Sequence, residues 1–299
     1  MYNEIAEILN ARWLIHHDTV LGYIPSLLSF INGGKIIAAD ANAKPDSKKL
    51  PYVISKASSI NLAAANVDMV DRWDLMNGNV PEMSIAVIPI QGVMRSSDTM
   101  PLARYVQMAE QNTNIIGILF LINTPGGMVF YTDICSSVIK SVTKPKIGYV
   151  LGTCCSAGMW LASGMDRIFV SSELDKLGSI GVMTNIMNIN SMLKDKLGIT
   201  IEDIYATKSD KKNSMWREFL SGNNKPIIDD LDFTNEIFHK TIKANMGIAE
   251  NSPVFSGDTY FAKEAISLGL AHEINTIDNA VEYLLTQGYK SQFKNNSKF

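Results

Sequence analysis

The sequence predicts an α/β domain built on mostly parallel strands, and three observations carry that expectation. Ile115-Ile116-Gly117-Ile118-Leu119-Phe120-Leu121-Ile122 is a continuous apolar run, the pattern of a strand buried on both faces. Strand-like and helix-like segments alternate from Ile85 to Val170, the order that gives parallel strands joined by helical crossovers. A third apolar run, Ile147 to Gly152, leads through Cys154-Cys155-Ser156 into Met159-Trp160-Leu161-Ala162, which reads as a buried helix.

Taken in order, residues 1 to 34 mix helical spacing (Ile5, Ile8, Leu9, Trp13) with a second apolar patch, and Asn32-Gly33-Gly34 marks a turn. Residues 35 to 82 alternate short apolar and polar runs without visible chemistry, so 1–82 is read as an N-terminal accessory or partner-binding region. At Met83 the pattern changes. Ile85 to Ile90 is a strand closed by Gln91-Gly92, and a helix spans about Met100 to Gln111. After the 115–122 strand, Asn123-Thr124-Pro125-Gly126-Gly127 is an abrupt end. A helix from Tyr131 to Ser141 precedes the strand that leads to Ser156, and Arg167 to Val170 is another strand. Lys176 to Val182 reads as a glycine-punctuated turn and strand, Ile189 to Leu197 as a helix, and Ile201 to Tyr205 as a strand. A polar loop holding Lys208, Lys211 and Lys212 is followed by a long amphipathic helix, about Pro226 to Met246. Phe261 to Leu268 is expected to be helical, followed by a short strand and a final helix reaching Leu284. The body of the domain is read as 83–287, and the polar tail 288–299 is expected to be mobile.

Composition narrows the function classes. The 299 residues suffice for one large or two ordinary domains. A net charge of −3 carries no nucleic-acid footprint. Three cysteines, two of them vicinal, make no disulfide framework and point to a reducing compartment. No Cys/His spacing suggests a metal, and no cofactor is expected. The apolar stretches fall short of the roughly 20 residues of a membrane helix, and the start of the chain lacks the features of a secretory signal.

The chemistry converges on Ser156. A serine between a strand end and a helix start can hold its hydroxyl at the rim of a sheet, beside N–H groups that favour negative charge. Gly126 and Gly127 end a buried strand, where paired glycines let backbone N–H groups approach an oxyanion. The lysines of the 208–212 loop lie after the strand expected to end at Tyr205.

Between Met83 and Asn275 these pieces resemble, in order, the S49 peptidases: signal peptide peptidase A and the related phage capsid-maturation proteases. The matching residues are Leu121 to Gly127, Thr153 to Trp160, Leu177-Gly178-Ser179-Ile180-Gly181-Val182, Lys196-Leu197-Gly198-Ile199, and Phe255-Ser256-Gly257 with Gly269-Leu270. The resemblance implies a ClpP/crotonase-like fold of repeated β-β-α units, a Ser–Lys catalytic pair and a homo-oligomer. It assigns Ser156 as nucleophile, Gly126, Gly127 and Ala157 as oxyanion donors, and Ser179 as a partner that orients the lysine. Two departures stand out. Ser156 is followed by Ala157-Gly158 where the family commonly has two glycines, and Ala206-Thr207 replaces a Ser-Gly pair before the lysine. Lys212 is the favoured base, because Lys212-Asn213 with Arg217 downstream matches best; Lys208 is second and Lys211 third.

A serine needs a base to take its proton, and a lysine can be that base only when neutral, hence desolvated. None of His16, His17, His239 and His272 lies just after Ser156, where ClpP peptidases carry their histidine, and His272 is expected to be structural. The expected activity is that of a serine endopeptidase on protein or peptide substrates. A phage or prophage capsid-maturation protease cutting scaffold, portal or capsid-associated proteins leads over a signal-peptide-peptidase-like bacterial enzyme. The implied location is the cytoplasm of a bacterial host or the assembling capsid. The rival classes are a crotonase-type acyl-CoA enzyme and a non-catalytic capsid component.

Overall fold

The computed structural model describes residues 13–15, 50–54, 80–186 and 202–296, with single positions at 195, 198 and 200. Two short strands come first, β1 (Trp13–Ile15) and β2 (Tyr52–Ile54). Then follow β3 (Ser84–Gln91), α1 (Ser96–Gln111), β4 (Ile115–Thr124), β5 (Gly126–Met128), α2 (Thr132–Ser141), β6 (Lys146–Cys155), α3 (Ala157–Ala162), β7 (Arg167–Val170) and β8 (Lys176–Gly178). The chain continues through α4 (Ser214–Leu220), α5 (Lys225–Met246), a 3-10 turn (Pro253–Ser256), β9 (Thr259–Phe261), α6 (Ala262–Ser267), β10 (Glu273–Ile274) and α7 (Ile277–Asn296).

Eight strands form one sheet in the order β10-β7-β6-β4-β3-β2, with β8 beside β6 and β9 beside β8. The pairs from β3 to β10 along this path are all parallel, while β2 joins β3 antiparallel as an edge. This is the α/β class that the sequence predicts. The apolar runs are continuous because both sheet faces are covered. Ile88, Ile118, Phe120, Ile122 and Val150 face α1, α2 and α3, while Val87, Leu119, Leu121, Tyr149 and Phe169 meet Val281 and Leu284 of α7. From α5, Phe238 stacks on Trp160 of α3 with centroids 4.5 Å apart, fixing the helix that begins at the candidate serine.

Several expectations need correction. Trp13, expected on a helix, lies in β1, because pairing with the open edge of β5 overrides its local spacing. Glu202 to Tyr205 form no strand, and Ile204 is 91% exposed; the segment meets no sheet edge among the described residues. Gly178 ends β8, so Ser179 to Val182 are loop. The final helix continues to Asn296, so the boundary expected at 287 falls inside α7. Tyr52 to Ile54, read as accessory, complete the main sheet. The helix expected over 189–197 and the apolar patch over 21–31 lie outside the described residues. Among the described residues no helix is long and apolar enough to cross a membrane.

Candidate active site

The site is made where β6 forks. Its first half, Ile147 to Val150, pairs with β7, and its last residues, Thr153 to Cys155, pair with β8. The bend falls at Gly152, whose φ of +105° suits glycine. Asp175 is buried in the fork. Its carboxylate accepts from the N–H groups of Gly152 (3.0 Å), Ser171 (2.7 Å) and Ser172 (3.1 Å), and from Ser171 Oγ (2.9 Å). Asp175 thus sets the direction of the strand that ends at Ser156. Sequence reasoning passed over it, although Ser171-Ser172 before an acid is a known turn signal.

Ser156 sits between β6 and α3 with φ 54° and ψ −116°, a conformation that a residue bearing a Cβ rarely holds. Its N–H donates to Gly178 O (2.8 Å) and its carbonyl accepts from Trp160 N–H (3.0 Å). The hydroxyl is fully buried, and Oγ has no hydrogen-bond partner among the described residues. An unpaired buried hydroxyl costs about 1–3 kcal/mol, so both backbone and side chain store strain at one residue. The neighbouring thiols are no rivals as nucleophiles. Burial pushes the Cys155 thiol up to about 12, with Lys176 opposing the shift, and raises Cys154 well above its ordinary value.

The glycine pair is divided in its roles. Gly126 N–H donates to Thr124 Oγ1 (3.1 Å), and Thr124 Oγ1 donates to Gly92 O (2.6 Å). The Gly126 N–H, expected from the sequence as an oxyanion donor, is thus bonded inside the turn. Met94 N–H donates to Gly126 O (2.9 Å) and Met94 O accepts from Met128 N–H (2.8 Å). Strand residues alternate in direction, so the Gly127 N–H and C=O point away from Met94. Gly127 must be glycine, since a Cβ there would lie 1.9 Å from Met94 O. Ala157 is the first residue of α3, whose opening N–H groups have no partner within the helix.

Ser179 follows Gly178 with φ 52°, half-buried, its N–H donating to Asp258 O (2.6 Å). The turn holding it is therefore anchored on both sides, to Ser156 through Gly178 and to the start of β9. His239 of α5 places Nε2 3.3 Å from Ile180 O, and burial lowers its pKa. His272 Nδ1 accepts the Ile168 N–H (3.1 Å) and the His272 backbone N–H donates to Ile168 O (2.9 Å), which ties the start of β10 to β7.

The lysines are where the structure departs from expectation. Lys208, Lys211 and Lys212 are all exposed, and none bonds to Ser156 Oγ. Their loop is held by its own turns, Ser209 N–H to Ala206 O (2.8 Å) and Lys212 N–H to Ser209 O (3.0 Å). Arg217 of α4 pins it further, bonding Asp210 O and lying 5.0 Å from the Tyr205 ring centre. Ammonium groups in such a loop stay in water, because transfer inward without a partner is costly.

The model of peptidase family S49 matches residues 139–288, half of the chain, spanning Ser156, Ser179 and the lysine loop. The chain belongs to peptidase family S49. Its relatives include capsid assembly protease C of Escherichia phage lambda, 29% identical over 224 residues that cover 70% of this chain and 49% of that one. Protease 4 of Haemophilus influenzae is 22% identical over 242 residues, 76% of this chain and 38% of that one. The chain spans about half the length of the curated relatives it matches. Among solved structures, a ClpP1 variant from Listeria monocytogenes is 15% identical over 69% of this chain and 98% of its own, with a TM-score of 0.44.

In this S49 chain Gly158, two residues after the serine, is not free to change. A Cβ on Gly158 would lie 2.5 Å from Thr124 Cγ2, and Thr124 is buried and bonded on two sides. Gly158→Ala is therefore expected to lose about 1–3 kcal/mol of stability through overpacking. Denaturant unfolding would read the loss as a lower midpoint at unchanged slope; an unaltered midpoint would contradict the packing.

Proposed function

We propose that this S49 chain is a serine endopeptidase with Ser156 as nucleophile and a lysine of the 208–212 loop as general base. The observation that carries the reading is the buried, unpartnered Ser156 Oγ on a strained strand–helix turn. A hydroxyl held in that state has no structural role to explain it, and strain of this kind collects at catalytic positions. In the proposed reaction the neutral lysine takes the Ser156 proton as Oγ attacks the substrate carbonyl. The N–H groups of Gly127 and Ala157 stabilise the oxyanion. The tetrahedral intermediate expels the amine, which takes its proton from the lysine, and water then releases the acyl group. Because the lysines are exposed, the dyad forms only when their loop is desolvated by closure, substrate or a neighbouring subunit. Lys212 remains first choice, then Lys208, then Lys211, with Ser179 as the residue that orients the amine.

The lambda relative supports a phage or prophage role, with scaffold or capsid-associated proteins as substrates. The Haemophilus relative keeps the bacterial reading as the second choice. A fluorophosphonate probe followed by peptide mass mapping tests the core of the proposal. Modification at Ser156 is expected, and intact protein after prolonged exposure would refute it.

The active enzyme is proposed to be a homo-oligomer. Of the apolar positions on α5, Phe238 is in the core, whereas Ile228, Phe233 and Ile237 remain exposed on one helix. Light scattering at micromolar concentration should give a mass several times 33.0 kDa. A monodisperse monomer would count against it.

A further inference from the structure

We infer that β1 of this chain acts as an internal pseudosubstrate, seated on the edge where an extended peptide would meet the Gly127 N–H. The inference rests on the peptidase reading above. β1 pairs antiparallel with β5 in the register Trp13 to Met128, Leu14 to Gly127 and Ile15 to Gly126. This two-stranded ribbon is separate from the eight-stranded sheet. Gly126 and Met128 spend their carbonyl and N–H on Met94, so the outward-facing member of β5 is Gly127. In an antiparallel ladder the residue opposite then exchanges both of its main-chain bonds with it, which sets the Leu14 carbonyl against the Gly127 N–H.

That N–H is the donor the proposed reaction needs. β5 leaves β4 at Thr124, which packs against Gly158 and pairs with Cys154, two residues before Ser156. An extended peptide that adds to this edge through main-chain bonds meets β1 already there. The two cannot share Gly127, so β1 and substrate compete. If β1 is docked about 90% of the time, apparent affinity for an extended substrate falls about tenfold.

The full chain carrying Leu14→Pro tests this, because proline removes the N–H that bonds Gly127. Ile15→Pro is the control, since the Ile15 N–H points away from β5 by the same alternation. Leu14→Pro should raise both peptide cleavage and fluorophosphonate labelling of Ser156 about tenfold, with Ile15→Pro close to wild type. A synthetic peptide of residues 10–18 should restore inhibition competitively. Equal rates in Leu14→Pro and wild type would overturn the pseudosubstrate alone. No labelling of Ser156 in any variant would remove the peptidase reading and this inference with it. Should Leu14→Pro fail to fold, hydrogen exchange on the wild-type chain decides. The Leu14 amide should be protected and should lose protection once a peptidyl phosphonate occupies Ser156; unchanged exchange would overturn the inference.

Discussion

Ser156→Ala should abolish peptide cleavage while leaving the protein at least as stable as the wild type. The loss in kcat is expected on the order of 10⁶, the scale on which serine peptidases depend on their nucleophile. The stability expectation follows from geometry. The φ of 54° is equally unfavourable for serine and alanine, so backbone strain cancels between them. The substitution removes a buried hydroxyl with no partner, whose desolvation costs about 1–3 kcal/mol. A gain of about 1 kcal/mol would raise Tm by roughly 2–4 °C. Calorimetry and a peptide-cleavage assay on the same preparation check both halves. Retained cleavage would displace Ser156 as nucleophile. A drop of several degrees would mean that Oγ has a structural partner in solution.

Single alanine substitutions at Lys208, Lys211 and Lys212 should give sharply unequal results. Removing the base is expected to lower kcat by about 10²–10⁴ with little change in substrate affinity, the usual contribution of a positioned proton acceptor. Lys212→Ala is the variant expected to show it. The other two lysines are exposed, so their loss should change kcat by less than about threefold. Three near-wild-type variants would refute the Ser–Lys mechanism. His239, on Ile180 O beside the Ser179 turn, would then be the group to replace first.

Much of this site was legible because its pieces are local. The buried strand over 115–122 is written in its unbroken apolar run, since a strand covered on both faces has no polar side to alternate with. The serine at a strand–helix junction is likewise a local pattern, and it is found there with Gly158 packed on Thr124. The division of labour between the two glycines was not legible. That the Gly126 N–H is spent on Thr124 Oγ1 while the Gly127 N–H faces β1 depends on strand register and turn geometry, which no short-range signal encodes. Asp175 escaped notice for a related reason: its bonds to Ser171 and Ser172 are local, but its bond to Gly152, the one that sets the strand to Ser156, crosses 23 residues of sequence.

By itself, then, the sequence determined the class of fold, the order of strands and helices in the core, and the strand–helix junction at Ser156 on which the proposed function rests. Hydrophobic periodicity and turn chemistry act over a few residues, so they survive in a linear reading. Only the tertiary structure decided that Gly126 is occupied, that Gly127 opens towards β1, and that the candidate lysines stand in water. Each of those facts is a competition between partners distant in the chain, won by whichever hydrogen bond or hydration shell costs least once the strands are in register.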